Sequence, residues 1–153
     1  MMVYDLHPDH YPSDNRPVDG NIHYTVINAD EVKQFAEGRG DEYILLGTTQ
    51  EQDVKSMKFL TAVGKAVNEK TVKYRADTFN CTSLATETLE KILYPDEELG
   101  QTTLEGPLFS SFTVDAPNQL YNDLMNKSEV KEKSTNKKLD EKAAQEFLDS
   151  QIK

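Results

Sequence analysis

Few residues in this chain can do covalent or proton-transfer chemistry: a single cysteine, Cys81, and three histidines, His7, His10 and His23. Cys81 begins the stretch "CTSLATETLEKIL", where a polar loop gives way to apolar residues at helical spacing. A thiolate attacks amide or ester carbonyls when an imidazole takes its proton and a third polar group orients the ring. Near the start of a helix the positive end of the macrodipole favours the thiolate. First-turn N–H groups, including that of Cys81, lack intrahelical partners and are natural donors to an oxyanion, with the Thr82 and Ser83 hydroxyls beside them. The same spacing supports a plainer expectation. Cys81, Ala85 and Leu89 lie at intervals of four, so the thiol could equally pack as a small apolar group on a helical face.

The base must come from elsewhere in the chain. His23 lies in "GNIHYTVIN", where Ile22, Tyr24 and Val26 alternate with His23, Thr25 and Ile27 in the manner of a strand. It is the candidate partner for Cys81, against the plain alternative of a hydrogen-bonded strand histidine. His7 and His10 sit in the proline-flanked "LHPDHYP", which reads as loop, and with Asp9 they make only a sparse ligand set. One cysteine forms no internal disulfide, and the histidines lack zinc spacing, so no metal or organic cofactor is implied. Asn28, Asp30 and Asn80 are all available to orient an imidazole, and spacing does not choose between them.

These side chains need elements to hold them. Strands are expected at 21–28 and 42–46, with a shorter one at "MVYDL", a helical turn at "DEVKQFAE" and the rest of 1–20 as loop. From Thr49 to Val67, the residues Val54, Met57, Leu60, Val63 and Val67 paint one helical face. Thr49 with Gln52 makes a capping box, and Gly64 marks a close contact. A second helix is expected over 81–93, ended by Pro95, with Leu84, Ala85, Leu89, Ile92 and Leu93 inward. "GPLFSSFTV" reads as extended, and Asp115 as the cap of a helix with Pro117 in its first turn and Leu120, Tyr121, Leu124 and Met125 buried. From residue 126 the composition turns to Lys, Glu and Ser: a charged linker, then an amphipathic helix over 138–152 through Leu139, Ala143, Phe147 and Ile152. The fold class expected is α+β, with a small antiparallel sheet against two helices. A domain spans 1–125 and a tail 126–153.

Hydrophobic residues make up 37% of the 153, low enough to place part of the chain, such as that tail, outside a core. With 27 acidic against 17 basic residues the net charge is -10, which repels nucleic acid and anionic lipid. No segment is apolar enough to span a membrane, and the start lacks a basic region followed by an apolar one, so the chain reads as soluble without an export signal.

Three segments, "YILLGTTQEQDVKSMKFLTAVGKAV", "VKYRADTFNCTSLATETLEKIL" and "FTVDAPNQLYNDL", together resemble the circularly permuted branch of papain-like cysteine hydrolases and acyltransferases. That branch includes lecithin:retinol acyltransferase-like proteins, cell-wall amidases and bacterial effectors. The matching positions are Thr49 to Gln52, Tyr74, Asn80 with Cys81, and Pro117 with Leu120. The resemblance covers about residues 42–125 and implies a small antiparallel sheet packed on the nucleophile helix, with Cys81 and a preceding histidine as the catalytic pair. It implies a hydrolase of amide or peptide bonds, in protein or peptidoglycan, acting through a thiolate acyl-enzyme. The alternative is a non-catalytic scaffold that binds protein partners, with the C-terminal helix as one contact. Relatives carry Gly-His on the histidine strand. Here the nearest match is Gly20-Asn21-Ile22-His23, and aligning "LHPDHYP" with the segment after that strand would instead place the histidine upstream of Met1.

Overall fold

The computed structural model describes residues 2–11, 16–39, 43–105 and 111–133. The architecture is α+β: four helices and three two-stranded antiparallel ribbons among the described residues. One sheet was expected; three separate ribbons form. The first pairs β1 (Met2–Pro8) with β2 (Gly20–Val26), Leu6 opposite Ile22 and Asp5 opposite His23. β1 is thus longer than the short strand expected and runs into the proline-flanked stretch, including His7. A 3-10 turn at Ala29–Glu31 leads into α1 (Val32–Arg39), and β3 (Ile44–Leu46) follows.

The helix α2 (Gln50–Asn68) starts where its capping residues dictate: the Thr49 amide donates to Gln52 Oε1 at 2.9 Å and the Gln52 amide to Thr49 Oγ1 at 3.2 Å. Its apolar stripe is covered only in the second half. Val67 is fully buried, and Leu60 and Val63 pack on the same core, whereas Val54 and Met57 are exposed. Gly64 sits against Tyr24 and Ile22 of β2, the close contact expected of it; a Cβ there would overlap the Tyr24 hydroxyl.

α3 (Cys81–Ile92) is the centre of the molecule, because it borders both apolar clusters. One gathers Leu6, Val18, Ile22, Val67, Tyr74 and Leu84 under the β1–β2 ribbon. The other gathers Tyr94, Leu99 and Leu124, with Leu89 of α3 and its C-cap Leu93 packed against it. A helix enclosed on two sides buries polar residues as well. Thr82, Ser83, Thr86 and Thr88 are buried, more deeply than Ala85 or Leu89. Thr86 and Thr88 donate back to the carbonyls of Ser83 (2.9 Å) and Leu84 (2.7 Å), which makes that burial affordable.

Beyond α3, β4 (Gln101–Glu105) pairs with β5 (Ser111–Asp115), which leads into α4 (Pro117–Leu124). The cap of α4 is Ala116 without a side-chain bond, not Asp115; Asp115 Oδ2 instead accepts from Thr86 Oγ1 at 3.3 Å. Pro117 takes the first-turn place expected of it. Residues 130–133, expected as linker, form β6 (Val130–Lys133) and pair with β3. The stripe at 138–152 lies outside the described residues.

Tyr94 anchors the second cluster and donates to Glu129 Oε2 at 3.3 Å. Burial, reinforced by the charge of Glu129, pushes its phenol up from 10.0 to about 12. The native state therefore holds the neutral phenol more firmly than the unfolded chain does. Its stabilising effect is complete below pH 10.0 and is lost as pH rises toward about 12. Denaturant midpoints across that range should fall more steeply for the native sequence than for Tyr94→Phe, which has no proton to lose.

Candidate functional site

Cys81 is the first residue of α3 and its side chain is exposed, not packed among aliphatic groups. The cap that fixes it there is reciprocal. The Ser83 amide donates to Asn80 Oδ1 at 2.9 Å and the Asn80 amide to Ser83 Oγ at 2.7 Å, while Asn80 Nδ2 donates to Ala76 O at 2.9 Å. Asn80 and Ser83 are both buried, so these bonds are shielded from water. Replacing Asn80 by alanine should cost about 1–2 kcal/mol, since it removes the cap and leaves the buried Ser83 amide unpaired. Equilibrium denaturation of Asn80→Ala checks this.

The capping box decides which first-turn groups remain for chemistry. Ser83 is only 2% exposed and its hydroxyl is spent on Asn80, so it is no oxyanion donor. The amides of Cys81 and Thr82 have no intrahelical acceptor, being in the first turn. Asn80, held by its own cap, does not orient an imidazole. Asp30 lies within the turn at Ala29–Glu31 and Asn28 just before it, where the Asn28 amide donates to Glu31 Oε2 at 3.1 Å.

Two hollows share Cys81 as a wall. One, of about 270 Å³, lies between the outer edge of β1 (Met2, Tyr4, Asp5, Leu6) and α3 (Cys81, Leu84, Ala85, Thr88), with Leu60 of α2 at its base. The other, of about 330 Å³, is almost wholly apolar and runs between Cys81, Thr82 and Ala85 on one side and Pro117, Leu120, Tyr121 and Leu124 on the other, closed by Ile44. Tyr74 lies close by: burial, then the charges of Cys81 and Tyr11, push its phenol up.

The structure does not bring Cys81 and His23 together. Ile22 and Tyr24 face α2, and strand alternation turns His23 to the opposite, exposed face of the ribbon. There it meets His7, ring centroids 5.8 Å apart, and His7 Nε2 lies 2.9 Å from Asp5 Oδ2. His10 is exposed near Asp19 and contributes to holding that carboxyl down, behind the larger effect of Lys73. None of the three histidines lines either hollow. Asp5 does, so the Asp5–His7 pair is the nearest described link between an imidazole and the Cys81 hollow. Asp5 and His7 share one face of β1 at i, i+2, a spacing hidden in the sequence where His7 reads as loop.

Among the described residues, no group of three His, Cys, Asp or Glu side chains is placed to hold a metal, and no helix is long and apolar enough to cross a membrane. No family model, curated protein or solved structure gives a significant match to the chain.

Proposed function

We propose that the chain is a cysteine-dependent hydrolase of amide or peptide bonds, with Cys81 as its nucleophile. The observation that carries this reading is the placement of an exposed thiol at the first residue of a firmly capped helix, on the ridge between two hollows large enough for substrate groups. The thiolate adds to the carbonyl carbon, and the oxyanion so formed is met by the amides of Cys81 and Thr82. The carbon–nitrogen bond then breaks, the amine leaves with a proton from solvent, and a thioester remains. Water cleaves the thioester to a carboxylate and restores the thiol.

The placement of the histidines favours a second reading, a papain-like scaffold without its dyad that binds a protein partner through the apolar hollow between α3 and α4. The two separate on intact mass. Incubation of the full chain with peptidyl aminomethylcoumarins should produce a transient acyl adduct on Cys81 that hydroxylamine removes. No adduct and no coumarin release, from a folded chain whose thiol is free, would leave the scaffold.

A further inference from the structure

The hydrogen-bonding pattern of the first ribbon fixes what its open edge presents. Both main-chain groups of Ile22 are taken up on the outer side of β2: its amide donates to Asn68 Oδ1 at 2.9 Å and its carbonyl accepts from Asn68 Nδ2 at 3.3 Å. The carbonyl of Gly20 on the same side accepts from Lys70 Nζ at 2.8 Å. In an antiparallel ladder, residues alternate between pairs that exchange hydrogen bonds and pairs whose N–H and C=O both point away. Ile22 therefore belongs to an outward pair. With Leu6 opposite Ile22, Tyr4 opposite Tyr24 and Met2 opposite Val26, the amides and carbonyls of Met2, Tyr4 and Leu6 all point out from the far edge of β1. The two edges are finished differently: Asn68 and Lys70 cap that of β2, whereas the edge of β1 borders the 270 Å³ hollow.

Leu6 is only 4% exposed, so the edge is shut there, while Met2 is exposed and Tyr4 half-buried. Along the opposite wall, Cys81, Leu84, Ala85 and Thr88 follow at helical intervals, so the hollow is a trough between a strand edge and a helix face. Its lining is apolar apart from Thr88, Asp5, the Tyr4 hydroxyl and the thiol, and Asp5 is its only carboxylate among the described residues. A trough that offers a strand edge with no pairing strand among the described residues on one side and a thiol on the other fits one ligand chemistry, an extended peptide backbone.

We propose that this trough binds an extended peptide as an added strand on β1, main chain to main chain at Tyr4, with an apolar side chain in the hollow and the peptide's carbonyl chain passing Cys81. The proposal rests on the hydrolase reading for its outcome, and it narrows the substrate to peptides over lipid esters or glycans. Acidic peptides are disfavoured by Asp5 and by the net charge of -10.

Amide hydrogen exchange in the full chain carrying Cys81→Ala tests the edge apart from the chemistry. The probe is acetyl-Ala-Leu-Ala-Lys-amide at millimolar concentration, beside copies in which one backbone amide at a time is N-methylated. Exchange at the Tyr4 amide should slow at least about tenfold with the unmethylated peptide and with only some of the methylated copies. Tyr4→Pro, which removes an outward N–H that the ribbon does not use, should abolish binding while keeping the fold; should that variant fail to fold, the methylated copies decide alone. A Tyr4 amide that exchanges equally fast with and without peptide overturns the added strand, whatever Cys81 does in the native chain. Protection at Tyr4 without turnover by the native chain sustains the added strand and removes the hydrolase instead.

Discussion

Cys81→Ala should abolish coumarin release from peptidyl substrates, by at least about 10³-fold, and leave the thermal midpoint in place. Both halves follow from where the residue sits. In the proposed reaction the thiol supplies the electron pair that opens the carbonyl, and among the described residues no second thiol and no serine lines the two hollows, while Thr82 is buried and Thr88 donates to Leu84 O. The side chain is exposed, so its loss opens no cavity, and alanine is the better helix former. A stability change within about 0.5 kcal/mol is expected, as for other exposed positions. Cys81→Ser should behave like Cys81→Ala in turnover, because a hydroxyl with no adjacent imidazole stays protonated. Turnover that survives in both variants would locate the chemistry elsewhere, and loss of turnover together with a lowered midpoint would mean that the thiol is structural.

The largest expected loss of stability is at Leu99. This residue is 2% exposed and packs with Tyr94 and Leu124 in the cluster that joins α3 to α4. Its amide is held by Glu90 Oε1 at 2.6 Å, and the next residue, Gly100, has a left-handed φ of 71° and an amide bonded to Asp123 Oδ2 at 2.8 Å. The backbone is fixed on both sides and cannot collapse into the space a truncation would leave. Leu99→Ala should therefore cost about 3–5 kcal/mol, the upper part of the range for buried leucines. That is a large fraction of the 5–15 kcal/mol that holds a typical domain together. Urea titration checks the loss. Because Leu120 and Leu124 line the apolar hollow and pack in the same cluster, the variant should also loosen α4, visible as faster amide exchange over Pro117–Leu124. A cost below about 1 kcal/mol would mean that the second cluster carries little of the fold.

What the sequence reveals here is what short-range chemistry decides. The capping box at Thr49 and Gln52 lies within one turn, so it is legible and sets the start of α2. The start of α3 at Cys81 follows from the same logic, although the partner of Asn80 is Ser83, which reads as an ordinary first-turn residue until its hydroxyl is seen bonded to the cap. Alternation separates Ile22, Tyr24 and Val26 from His23 and Thr25. Which of those faces meets the helices is set by Leu6 and Gly64, distant in the chain. That tertiary choice leaves His23 outside the Cys81 hollows. β6 was hidden for a related reason: "VKEK" has the composition of a linker and becomes a strand because β3 lies alongside it. The buried hydroxyls of α3 were equally unreadable, since helical periodicity gives one apolar face and cannot tell that a helix will be enclosed on two.

The proposed reaction requires a Cys81 thiol that reacts faster in the folded chain than in the unfolded one. The direct measurement is the rate of alkylation by iodoacetamide, followed by intact mass, in the native full chain and in the same chain unfolded in urea at one pH. An activated thiol predicts native labelling at least about tenfold faster than unfolded labelling. A native rate equal to or below the unfolded one would contradict it, and Cys81 would then be an exposed thiol with no chemistry of its own.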